Sequence, residues 1–156
     1  MKQEIPLKKS QTSHEETIRL DYILNQIDAV YHRASVKCSL PDSESWIFYF
    51  LYDMGGPCNQ SEISRRYGIS RKTINSALAK LEKKNLVKRE AGGGRNVVVS
   101  LTEEGLVFAE KFIAPMIEAE NSVFDSWPQE ERKQILFLAE KYRNELLEQF
   151  QKKGLV

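Results

Sequence analysis

The chain has 156 residues, 41% of them hydrophobic, which suits one domain or a small domain with flanking helices. Its formal charge of +1 hides a division: Gln60 to Ser100 holds ten Lys/Arg against three Glu, while the remainder carries more acid than base, a pattern suited to a polyanion-binding module on a scaffold that need not touch the polyanion. The longest apolar run, Trp46 to Tyr52, is too short for a membrane span, and the N-terminus lacks the apolar core of a secretory signal, so a cytoplasmic protein with no membrane partner is expected.

Residues 1–12 are polar and aperiodic and read as a loose tail. From about Ser13 to Lys37, Ile18, Tyr22, Ile23, Ile27, Val30, Tyr31 and Ala34 recur at helical spacing, which predicts a long amphipathic helix. Leu40, Pro41 and Asp42 break it. Asp42 or Ser43 then caps a second helix running to about Met54, so apolar on all sides that burial is expected. Gly55, Gly56 and Pro57 form the next break.

Asn59 stands three residues before Glu62, a variant of the capping box, and opens a short helix that Gly68 ends. Ser70 caps another helix, with Ile74, Ala77, Leu78 and Leu81 on one face. The opposite face presents Lys72, Asn75, Ser76, Ala79 and Lys83, with Arg71, Thr73 and Lys80 at its margins. The period then becomes strand-like over Leu86 to Glu90 and Val97 to Leu101, with Gly92, Gly93 and Gly94 at a hairpin tip and Arg95 beside it. Thr102 caps a helix passing Phe108, Phe112 and Ile113, which Pro115 should kink. A last helix starts near Pro128, with Ile135, Leu138, Tyr142, Leu146 and Phe150 spaced by three or four.

Helix, turn, helix and hairpin in that order make a winged helix-turn-helix. The fold class expected is mainly α with a small β-hairpin wing, the winged helix-turn-helix domain being flanked by N- and C-terminal dimerisation helices. The divisions are a tail over 1–12, an N-terminal dimerisation helix over 13–37, the DNA-binding domain over 38–101 and C-terminal dimerisation helices over 102–156. Apolar faces at both ends of the chain exceed what one small winged domain needs to cover. Burying them against a twin would set two recognition helices about one DNA turn, roughly 34 Å, apart.

Double-stranded DNA is the partner this architecture suggests, because a helix fits the major groove and its long or amide side chains reach base edges. Arg71 and Lys72 suit guanine acceptors, Asn75 suits adenine, and Thr73 or Ser76 suits a base or a phosphate. Gln60, Ser61 and Ser70, at helix starts, are placed for phosphate oxygens, Lys80 joins the exposed margin, and Arg95 can enter the minor groove. Tyr22, Tyr31, His32, Arg33, Trp46 and Tyr49 form a candidate effector set for a small aromatic or anionic molecule, against the plainer reading of aromatic core. No Ser/His/Asp set, nucleotide loop or metal cluster is visible, so no enzyme, cofactor or metal is expected. Cys38 and Cys58 have neither metal-ligand spacing nor a CxxC arrangement.

Asn59-Gln60-Ser61-Glu62-Ile63, Gly68-Ile69-Ser70-Arg71-Lys72-Thr73-Ile74, Leu81 to Arg89, Arg95 and Ser100-Leu101-Thr102-Glu103-Glu104-Gly105, taken in this order, resemble the MarR family of bacterial transcription regulators. The resemblance implies a homodimer held by its N- and C-terminal helices, with two winged domains on a pseudo-palindromic operator. It also implies a repressor released by a small molecule or, in a thiol-based branch, by oxidation. Two departures stand out: many members have Asp where this chain has Gly93, and the reactive Cys of the thiol-sensing branch sits early in the first helix, whereas Cys38 lies near its end. A winged-helix protein-interaction module without DNA binding is the alternative from a different class.

Overall fold

A computed structural model describes residues 11–94 and 96–156, apart from the side chains of Gln11 and Thr12. The elements are α1 (Gln11–Lys37), α2 (Asp42–Asp53), β1 (Cys58–Asn59), α3 (Gln60–Tyr67), α4 (Arg71–Lys83), β2 (Val87–Ala91), β3 (Val97–Leu101), α5 (Glu103–Phe112), α6 (Ala114–Ser126) and α7 (Gln129–Lys152). The fold is mostly helical with a small antiparallel sheet, as the sequence predicts. Of the expected tail, residues 1–10 lie outside the described residues; Gln11 and Thr12 already belong to α1.

Two compact units divide between Ile113 and Ala114. In the first, α2 and α4 build the core. Ile47, Phe48, Phe50 and Leu51 of α2 are buried, and so are Ile74, Ala77, Leu78 and Leu81 of α4, the stripe that helical spacing marks in the sequence. Ile63, Val87, Val99 and Ala109 add side chains from α3, β2, β3 and α5. Phe48 meets Phe108 edge to face at 5.3 Å, so α5 closes over α2 and packs with the winged domain rather than standing apart with the C-terminal helices.

Among the described side chains of α1 only Ser35 is buried, and just beyond the helix Cys38 and Leu40 are buried too. Along the rest, Ile18, Tyr22, Ile23, Ile27 and Val30 stay exposed. α2 starts without a side-chain cap: Pro41 takes the N-cap position, and Asp42, expected as a cap, faces His32 of α1 at 3.0 Å instead.

The sheet has the order β1-β3-β2. β2 and β3 form the wing, with Val87 opposite Leu101 and Ala91 opposite Val97. The pair β1·β3, Cys58 opposite Val99 and Asn59 opposite Val98, is not foreseen, since a two-residue strand leaves no period to read. Gly93 and Gly94 adopt φ of 88° and 60° at the tip, which L side chains rarely reach. At Gly105 the demand is space: a Cβ there would overlap the Leu86 carbonyl oxygen, so glycine lets α5 lie directly on the start of β2.

The long helix expected beyond Thr102 is divided. Thr102 caps α5 as predicted, its Oγ1 accepting from the Gly105 amide at 2.9 Å, but α5 ends at Phe112 and α6 starts at Ala114, with Pro115 in its first turn. Proline has no amide to donate to the preceding turn, and the helix breaks ahead of it. In the second unit, Phe124 and Trp127 stack at 5.6 Å near the turn into α7, with Pro128 at the N-cap position. Neither α6 nor α7 buries a side chain.

Candidate nucleic-acid interface

The helix-turn-helix is set by local chemistry. α3 ends on Gly68 in the left-handed conformation, the Ser64 hydroxyl donates to the Ile69 carbonyl at 2.7 Å, and Ser70 caps α4 by accepting from the Thr73 amide at 3.2 Å. The Ser70 and Thr73 hydroxyls lie 2.8 Å apart, which ties Thr73 to the cap. The capping box expected at Asn59 does not form. Asn59 takes the N-cap backbone geometry without a side-chain bond, because it is also the last residue of β1 and is paired with β3.

α4 is held along both flanks. On the wing side, Gln60 Nε2 donates to Asn75 Oδ1, and Glu82 pairs with Arg89 of β2. The hydrogen bond from Arg89 holds the Glu82 carboxyl below the usual glutamate range, and the same contact raises Arg89. On the α2 side, Glu44, 1% exposed, takes Lys84 at 2.9 Å on Oε2 and Lys80 at 3.6 Å on Oε1. A buried carboxylate must be paired, and here one anion receives two cations, Lys80 from the last turn of α4 and Lys84 from its C-cap.

These pairs redistribute the basic centre. Of its ten cationic residues, six are in ion pairs: Arg65 with Glu62, Arg66 with Asp53, Lys80 and Lys84 with Glu44, Lys88 with Glu90, and Arg89 with Glu82. Arg95 lies outside the described residues, so its expected role in the wing has no structural account. Among the described residues, Arg71, Lys72 and Lys83 remain without an acidic partner, and all three are exposed on α4 together with Ser76. Gln60, Ser61, Arg71, Asn75, Arg89 and Asn96 line a crevice of about 280 Å³ between the starts of α3 and α4 and the tip half of the wing. The arrangement offers amide and guanidinium donors, with cations beside them, to a ligand rich in acceptors and negative charge.

The residues predicted for this surface are thus partly gathered. Gln60, Ser61, Arg71 and Asn75 share the crevice, Lys72 and Ser76 stand on the adjoining face, and Ser70 and Thr73 form the cap. Lys80 is turned to Glu44. Arg89 and Asn96 were not in the predicted set; they enter only because β2 and β3 pair in register beside α4, which no local pattern announces.

The candidate effector residues also separate. Trp46 gathers Tyr31 at 4.8 Å, Tyr49 at 5.9 Å and Tyr67 at 6.0 Å, and Tyr67 in turn meets Phe50 at 5.6 Å, beneath the Arg66 guanidinium. These rings pack on one another. Tyr22 and Arg33 are exposed, and His32 faces Asp42. The thiols are buried: burial raises Cys38, whose Sγ donates to the Ala34 carbonyl, and burial followed by the Glu62 charge pushes Cys58 up to about 11. Thiolate, the reactive form, is therefore suppressed at both.

The model of the MarR family matches residues 39–95. No curated protein sequence matches the chain. Among solved structures, a MarR family regulator from Neisseria meningitidis superposes with a TM-score of 0.72 at 20% identity, over 89% of this chain and 98% of that one. The S. aureus MepR-DNA complex gives 0.67 at 20% identity, over 84% and 97%, and NadR in complex with 4-hydroxyphenylacetate gives 0.61 at 18%, over 88% and 96%. No helix among the described residues is long and apolar enough to cross a membrane.

Proposed function

We propose that this chain, which carries the MarR-family winged helix-turn-helix over residues 39–95, is a homodimeric, sequence-specific regulator of transcription that represses from a pseudo-palindromic operator and is released by a small molecule. The observation that carries the reading is the charge left on α4: most of the basic centre is neutralised within the protein, while Arg71, Lys72 and Lys83 are exposed and, among the described residues, have no acidic partner. Arg71 and Lys72, with Asn75 and Ser76, are the base-reading candidates in the major groove. Ser61, Gln60 and Ser70 position the phosphate backbone, and Arg95 is the minor-groove candidate.

Two-fold pairing is supported by the apolar faces that a single chain leaves open on α1 and α7, where Tyr22, Val30, Phe137 and Leu138 are all more than half exposed. MepR was solved with DNA and NadR with an aromatic acid, and both chemistries are assigned here as partner and effector class. Tyr22, Tyr31, His32, Arg33, Trp46 and Tyr49 are the candidate effector residues, of which Tyr31, Trp46 and Tyr49 are half-buried. The role is binding, with no catalytic step.

Selection of bound fragments from genomic DNA tests the reading. A short inverted repeat should be enriched, and one of a panel of aromatic acids should release it. A protein that retains no fragment, or retains fragments without sequence preference, contradicts it.

A further inference from the structure

We infer that Glu44 is a positioning residue for DNA recognition: it withdraws Lys80 and Lys84 from the nucleic acid and confines the cationic surface of α4 to its N-terminal turns and outermost stripe. The inference rests on the DNA-binding reading above and deepens it by naming what limits sequence-independent attraction.

Lys80 and Lys84 are four residues apart, on successive turns of one flank. Taking the buried stripe Ile74, Ala77, Leu78 and Leu81 as the inward direction, Lys84 stands to one side and Lys80 further round toward the outward face. Lys80 would thus belong to the set available to phosphates. Its ammonium instead lies 3.6 Å from Glu44, and that of Lys84 lies 2.9 Å from the other oxygen of the same carboxylate. Glu44 cannot leave to follow the lysines. It sits in the first turn of α2 and is buried, as are Ser45, Ile47 and Phe48 of the same helix.

The lysines, in contrast, are 59% and 43% exposed, and their flexible stems would be free to swing if the carboxylate lost its charge. The opposite flank of α4 is closed by Glu82 with Arg89 and by Gln60 with Asn75. Among the described residues, Arg71, Lys72 and Lys83 of α4 remain without an acidic partner. Each additional lysine reaching a phosphate adds about 0.9 to the salt slope of binding without reading a base, so an unheld pair would raise affinity for every sequence and erode discrimination.

The test measures affinity for an enriched genomic fragment and for a random duplex, across a series of salt concentrations, with wild type, Glu44→Gln, Lys84→Gln, and Glu44→Gln combined with Lys80→Gln and Lys84→Gln. Glu44→Gln should bind random duplex about 5-fold or more tightly at low salt, steepen the slope by about 1 to 2 and lower the ratio of specific to random affinity. The triple variant should return to the wild-type slope. Lys84→Gln alone, which leaves Lys80 to hold the carboxylate, should leave the slope unchanged. An unaltered slope in a folded Glu44→Gln protein overturns the inference while leaving the DNA-binding reading intact. Should Glu44→Gln not fold, Lys84→Gln decides: a slope shallower by about 1 shows that Lys84 already contacts DNA, and the inference fails. A wild-type protein that binds no duplex overturns both readings.

Discussion

α4 and α7 are both amphipathic, and the chain treats them in opposite ways. α4 buries Ile74, Ala77, Leu78 and Leu81 and is fixed by polar contacts along both flanks. α7, nearly twice as long, buries nothing, although Ile135, Leu138, Tyr142, Leu146 and Phe150 repeat along one side and Leu136, Phe137 and Leu147 along another. A helix of this composition gains little from isolation, since its stability depends on covering an apolar face. The contrast teaches that the winged domain supplies its own core, whereas α7 leaves its apolar side chains exposed. Specific recognition needs the first property, and the proposed two-fold pairing the second.

The largest effect should come from breaking α7. Replacing Leu138 and Leu146 with Glu should yield a folded monomer by light scattering and weaken binding to a two-half-site fragment by about 100-fold or more, since linked binding of two domains is lost. If the variant keeps the mass of the wild-type assembly, another surface holds the copies together.

A smaller change sharpens the other half of the contrast. Gly105→Ala places a methyl group against the Leu86 carbonyl and should cost about 1–3 kcal/mol in urea denaturation, because backbone has to move. An unchanged midpoint would mean that α5 does not depend on that close approach.

The flank contact between Glu82 and Arg89 should contribute less, about 0.5–1 kcal/mol at neutral pH, measured as the loss on Glu82→Gln. Arg89 lowers the folded-state value of Glu82 below the ordinary value of about 4.3, so the contribution is present above that pH and is lost as pH falls through the lower, folded value. The two proteins should therefore converge in stability in acid. A gap that persists once the Glu82 carboxyl is fully protonated in the folded protein would assign the loss to packing instead.

The smallest effect should follow oxidation. With Cys58 at about 11, roughly one thiol in ten thousand is ionised at pH 7, so mild peroxide should leave DNA affinity unchanged. Release by peroxide, abolished in Cys58→Ser or Cys38→Ser, would restore the thiol-based alternative.

Much of the winged domain was legible because its signals are local. Gly68, Ser70 and the stripe from Ile74 to Leu81 specify turn, cap and inward face within fifteen residues, and the glycines of the wing mark its tip. What escaped depends on residues distant in sequence. β1 exists only because Cys58 and Asn59 meet Val98 and Val99, and that pairing displaces the capping role expected of Asn59. The charge count over Gln60 to Ser100 located the basic centre, yet Glu44 and Asp53, which neutralise three of its cations, lie outside that window. Within the candidate effector set, Tyr31 and Tyr49 pack on Trp46 while Tyr22 and Arg33 stand exposed, a division that helical spacing does not give because it marks a face but not its neighbours.

The most direct measurement is the salt dependence of binding to an enriched genomic fragment, compared between wild type and the variant with Arg71→Ala and Lys72→Ala. The unpaired cations of α4 predict that wild-type affinity falls steeply with salt and that the double variant binds more weakly, with a slope shallower by about 2. Salt-independent binding, or a double variant that matches wild type in both affinity and slope, would contradict the assignment of this surface to DNA.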